Sequence, residues 1–151
     1  MTKTMIALFL SVTFSPAIAQ SGPKAAAKCE GRIFKEEKPE TVSQVQDFWR
    51  ELQSALRRND QRHLAAMASY PLNVSGRDRR DKVHNQNEFI AHYSDVFPSD
   101  LRAMLLRQPI DCVGRVGSRG FSVAQGQVWF DRSSDGTYKI LAVNTVVYPE
   151  N

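Results

Sequence analysis

Apolar residues recur at helical spacing from Thr41 onward: Val45, Phe48, Trp49, Leu52 and Leu56 share one face, with polar residues between them. Thr41 and Gln44 have the spacing of a capping box and mark where this first helix starts. Asn59-Asp60 closes it and caps a shorter helix carrying Leu64, Ala65, Met67 and Ala68, which Tyr70-Pro71 ends. The aromatic stripe of the first helix reads as core rather than as a cofactor box, because its members lie on the same side.

Leu72 to Ser75 predicts a short strand, followed by Gly76 and a charged run, Arg77-Asp78-Arg79-Arg80-Asp81-Lys82, that reads as a solvated loop. Asn85 and Glu88 repeat the capping-box spacing ahead of Phe89, Ile90, Tyr93, Val96 and Phe97, and this helix stops before Pro98. Ser99 caps a further run through Leu101, Leu105 and Leu106. Beyond Pro109 the pattern turns to strands at Ile110 to Val116, Phe121 to Phe130 and Tyr138 to Tyr148, the last two joined by a hairpin at Asp135-Gly136. Helices first and a meander afterwards predict one α+β domain over residues 41–151, its N-terminal helices packed on one face of a curved antiparallel sheet.

The start of the chain changes the setting of that domain. Lys3, an apolar run from Met5 to Phe14, the break at Ser15-Pro16 and Ala17-Ile18-Ala19 make residues 1–19 a predicted signal peptide, cleaved after Ala19. The run is too short to span a bilayer, which takes roughly 20 residues, so no transmembrane segment is expected after cleavage. Residues 20–40 read as an extended N-terminal arm, and the mature protein as periplasmic or secreted. Two cysteines occur, Cys29 and Cys112, and an oxidising compartment favours a disulfide between them. The 20 basic against 16 acidic side chains give a formal charge of +4. That mild excess permits attraction to anionic surfaces and names no partner.

The order of elements carries a resemblance. A long helix ending in Arg58-Asn59-Asp60, a short helix, the strand entry Tyr70-Pro71-Leu72 and a third helix come first. Gly126-Gln127-Val128-Trp129-Phe130, then Asp135-Gly136 and Lys139-Ile140 to Asn144, follow. This resembles the NTF2-like, or cystatin-like, superfamily, over roughly Thr41 to Tyr148. The resemblance implies a cone between helices and sheet; it implies no activity, since that superfamily holds isomerases, dehydratases, cyclases, transport factors and exported proteins of unknown role.

An even-length hairpin loop would put Gln125, Gln127, Trp129 and Asp131 on the face of Tyr138, Ile140, Ala142 and Asn144. Gln125, Gln127 and Asn144 would then offer amides beside an indole, suited to orienting a polar ligand. The competing expectation is that this face is merely solvated, with Val128, Phe130, Leu141 and Val143 in the core. His92 and Tyr93 on the third helix could reach a cone, with Asp95 one turn from His92. His63, His84 and His92 lack chelating spacing, so neither metal nor cofactor is expected. Gly117-Ser118-Arg119-Gly120 lacks the spacing of a nucleophile elbow, and its glycines read as turn residues. Arg77, Arg79, Arg80 and Lys82 form a basic rim whose interleaved aspartates and absent aromatics argue against nucleic acid.

Three functions stay open at this point. The favoured one is a non-catalytic exported module that holds a small molecule or an envelope protein, as a monomer or a homodimer. A cofactor-free isomerase or dehydratase would use His92, Tyr93 or Asp111 on a small apolar substrate. An inhibitor or immunity-type protein would block an envelope enzyme through the basic rim.

Overall fold

Pro39 opens the first helix, α1 (Pro39–Arg58), because its fixed φ suits a first helical position and its missing N–H costs nothing there. The helix therefore starts two residues before the predicted Thr41, with Glu40 in its first turn and Arg57 and Arg58 in its last, each sign matching the helix dipole. Asn59 ends it in the left-handed region, at φ 52°. The Asp60 carboxylate then accepts the His63 N–H at 3.0 Å and starts α2 (Gln61–Ala66). The computed structural model describes residues 37–77, 80–109 and 112–147. The predicted signal peptide, the arm up to residue 36, Cys29, Asp78, Arg79, Ile110, Asp111 and Tyr148 lie outside the described residues.

The remaining elements are β1 (Ala68–Ser75), β2 (Arg80–Val83), α3 (Gln86–Ala91), α4 (Tyr93–Val96) and α5 (Ser99–Arg107). Then follow β3 (Gly114–Arg115), β4 (Phe121–Val123), β5 (Val128–Arg132) and β6 (Tyr138–Asn144). Asn85 caps α3 by accepting the Glu88 N–H at 2.9 Å, while the Glu88 carboxylate reaches back to the His84 N–H at 2.8 Å. His92 divides the predicted third helix into α3 and α4. Part of the charged run taken for a loop is in fact strand β2, paired antiparallel with β1.

The strands form one sheet in the order β2-β1-β6-β5-β4-β3. All neighbours are antiparallel except β1 and β6, which run parallel. The expected antiparallel cone is therefore corrected: the fold is α+β, but its sheet is mixed, open between the edges β2 and β3, and neither closed nor strongly curled. The reason lies in chain order. Helices α3 to α5 intervene between β1–β2 and the C-terminal strands, and a connection that long lets β6 return alongside β1 in the same direction.

One sheet face carries the core. Val74, Val143, Val128 and Val123 align across four strands, and Ile140, Phe130 and Phe121 across three. Against them lie Val45, Phe48, Trp49, Leu52 and Leu56 of α1, with the Phe48 and Phe130 rings 4.6 Å apart. Phe89, Phe97, Leu101 and Leu105 complete the buried layer. The predicted strand Phe121 to Phe130 is two strands, because Ala124, Gln125 and Gly126 turn through the left-handed region at φ 52°, 61° and 94°. Gly120 (φ 90°) passes so close to β5 that a Cβ there would lie 2.6 Å from the Phe130 carbonyl oxygen.

The expected Cys29–Cys112 bridge has its Cys29 end outside the described residues, and no disulfide joins two residues that are described. Cys112 itself is not a free thiol.

Two outcomes follow from the packing. Phe130→Ala is expected to destabilise the domain by about 3–5 kcal/mol in urea unfolding, the range for an emptied aromatic core position. The hairpin turn adds a pH dependence, since the Asp135 carboxylate accepts the Thr137 N–H at 2.9 Å and its hydroxyl at 2.7 Å. These bonds hold the Asp135 carboxyl below its ordinary 3.8. A depressed folded value means the contribution is present above pH 3.8 and lost as pH falls through the lower value. Acid unfolding of Asp135→Ala should lack that part of the slope, and an unchanged acid limb would count against the assignment.

Candidate functional site

Side chains alternate along a strand, so the register decides which residues share the face turned away from the helices. Ser122 lies opposite Trp129, Trp129 opposite Ala142, Ala142 opposite Asn73 and Asn73 opposite Lys82. These five form one row across β4, β5, β6, β1 and β2. A second row, Asn144, Ser75 and Arg80, runs beside it. Strand spacing puts Lys82 roughly 14 Å from Trp129. This face, free of helices among the described residues, thus joins two groups that are far apart in sequence, the indole and amide of the last hairpin and the basic residues of the charged run.

The hairpin loop is not even-length: residues 133–137 lie between the paired Arg132 and Tyr138. Asp131 accordingly faces Lys139, and Phe130 faces Ile140. An extra residue at Leu141 then shifts the register, so that Trp129 meets Ala142 and Val128 meets Val143. The predicted pairing fails near the turn and is restored by the bulge at its far end.

Each side chain on the face is positioned by identifiable contacts. The half-buried Trp129 donates its indole N–H to the Gly126 carbonyl at 2.8 Å, and its ring packs against Gly126. Asn144 accepts the Val146 N–H through Oδ1 at 3.1 Å, leaving its Nδ2 donors available. Asn73, Arg80 and Lys82 are exposed, and among the described residues no carboxylate pairs with either cation. Arg77 is exposed just beyond β1, and Arg79 lies outside the described residues. Around the β1–β2 hairpin, Asn73, Val74, Ser75, Arg80, Asp81 and Lys82 line a cavity of about 410 Å³, in which two cations stand beside one carboxylate.

Other predicted residues lie elsewhere. Gln127 is 2% exposed; its side-chain amide Nε2 donates to the Val146 carbonyl at 3.0 Å, and its main-chain carbonyl accepts the Asn144 N–H at 2.6 Å. It fastens the end of β5 to the segment after β6, and its Oε1 has no partner among the described residues. Gln125 is exposed in the left-handed turn and belongs to no strand. His92 is exposed with Nδ1 3.4 Å from the Asp95 carboxylate. Tyr93 is buried on the helix side between Phe89 and Phe97, with the Arg102 guanidinium 5.5 Å from its ring centre. Burial pushes its phenol up, and the Arg102 charge partly offsets this. The sheet therefore separates His92 and Tyr93 from the Trp129 face.

A cleft of about 390 Å³ between α1, α2 and the start of β6 has no counterpart among the predicted sites. Glu51 and His63 meet in it at 2.7 Å, and Lys139 donates to the Ala66 carbonyl at 2.8 Å. The polar positions Gln44, Asp47 and Glu51 on α1 were its visible signal, since they run at helical spacing along the edge of the apolar stripe. Thr137, Tyr138 and Lys139 also line it, and among the described residues no serine or cysteine lies there beside the histidine.

The two tryptophans differ enough to be separated in solution. Trp49 is 0% exposed and Trp129 is half-buried. Trp129→Phe should leave a blue-shifted emission that acrylamide barely quenches. A red, readily quenched residual emission would mean that Trp49 reaches solvent.

Comparison with protein-family models, with characterised proteins and with solved structures finds no match to this chain.

Proposed function

We propose that the domain is an exported, non-catalytic binding module that holds an anionic ligand or partner on the helix-free face of its sheet. The observation that carries this reading is the cross-strand register, which puts Trp129 and Asn144 in the same rows as Asn73, Ser75, Arg80 and Lys82. Arg80 and Lys82, which have no carboxylate partner among the described residues and outnumber Asp81 in the same cavity, favour a negatively charged occupant by simple complementarity. An indole in the middle of that face supplies apolar contact area that charge alone lacks. Export rests on the reading of residues 1–19.

The isomerase or dehydratase alternative loses its footing with the cone. Of its named residues, His92 is exposed, Tyr93 is packed in the core and Asp111 lies outside the described residues. The inhibitor reading uses the same basic edge and differs only in taking an acidic protein as the occupant.

Capture of polyglutamate by the mature chain tests the charge on this face. Binding should weaken steadily with added salt, and Arg80→Glu with Lys82→Glu should weaken it by about tenfold, equivalent to 1.4 kcal/mol. Both substitutions are at exposed positions and should leave thermal stability within about 0.5 kcal/mol. Binding indifferent to salt and to both reversals would overturn the proposal.

A further inference from the structure

We infer that the occupant of this face is an acidic oligosaccharide, a short sugar chain bearing carboxylates; the inference rests on the anion-binding face proposed above and specifies its ligand. The side chains across the two rows are an indole, two primary amides, two hydroxyls, a guanidinium, an ammonium and one methyl: Trp129, Asn73 and Asn144, Ser75 and Ser122, Arg80, Lys82 and Ala142. All but the methyl suit a part of a uronic acid chain. An indole packs against the C–H side of a pyranose ring. Amides donate and accept at once, which matches neighbouring hydroxyls. A guanidinium grips a carboxylate through two parallel N–H groups.

Dimensions and absences on the same face narrow the choice further. The roughly 14 Å from Trp129 to Lys82 exceeds a monosaccharide and fits a short chain laid across the strands. An extended acidic peptide would instead pair with a sheet edge and seat alternate side chains in pockets. Here the edge strand β2 turns Arg80 and Lys82 to solvent, and the indole sits inside the row, between Ser122 and Ala142. A lipid surface would call for protruding apolar side chains. Among the described residues the one large hydrophobic that is exposed is Val116, which follows β3 at the opposite edge.

The test uses the mature chain, isotope-labelled at the indole nitrogens, titrated with trigalacturonate, neutral maltotriose and polyglutamate in turn. Trigalacturonate should move the Trp129 indole resonance saturably, and maltotriose should bind at least about tenfold more weakly for want of a carboxylate. Arg80→Gln should cost about tenfold toward trigalacturonate and nothing toward maltotriose. Asn73→Ala, at an exposed position, should weaken both sugars and so repeats the test without touching a half-buried ring. Polyglutamate bound with no response to trigalacturonate would overturn the sugar inference and leave the anion-binding face standing. No response to either would overturn both, and equal affinity for trigalacturonate and maltotriose would overturn the part assigned to Arg80.

Discussion

Strand β1 enters the sheet beside β6 and runs in the same direction, and through that one parallel pairing the two halves of the chain become a single sheet. Both ends of the contact are fastened by backbone bonds, from the Ile140 N–H to the Met67 carbonyl at 2.9 Å and from the Thr145 N–H to the Ser75 carbonyl at 2.7 Å. β2 reaches the sheet only by riding on β1. Remove the pairing, and the basic hairpin has no fixed relation to the indole of β5. The order of the outer face thus depends on it.

The same pairing fixes the core. Because side chains alternate, setting Val74 opposite Val143 on the helix side sends Asn73 and Ser75 to the other. A slip by one residue would bury two polar side chains and expose a valine. The apolar demand of the core therefore holds the polar rows in place, and the outer face inherits its order from packing on the inner one. The bulge at Leu141 does comparable work on the other side of β6, returning Val128 to the core after the five-residue loop.

How much of this is legible in the sequence varies with the range of the interaction. The helical face of Val45, Phe48, Trp49, Leu52 and Leu56, the caps at Asp60 and Asn85 and the turn at Asp135-Gly136 are local, and each appears where its spacing predicts. The direction of β6 relative to β1 is not local, so an all-antiparallel sheet was the natural expectation and a wrong one. Trp129 and Asn144 were readable as neighbours across a hairpin. That Asn73 and Ser75 join them, and that Arg80 and Lys82 belong to a strand, depends on a pairing some seventy residues apart in the chain, as the Thr145–Ser75 bond illustrates. Gln127 looked like its neighbours in the alternation, yet the left-handed turn at Ala124 to Gly126 swings it inward to bond Val146.

Among the described residues the open sheet leaves two strands, β2 and β3, paired on one side only, and they are guarded differently. β3 is two residues long, and its Arg115 is paired with Glu37 and lies over the Phe121 ring. β2 is longer, and its exposed Arg80 and Lys82 are what discourages another chain from adding a strand there. On the proposed reading the same two cations answer to two demands, attraction of a ligand on the face and repulsion of a second copy at the rim. Neutralising them to alter what the face accepts would also make the molecule more adhesive to itself, so ligand choice and solubility are coupled through a single pair of side chains.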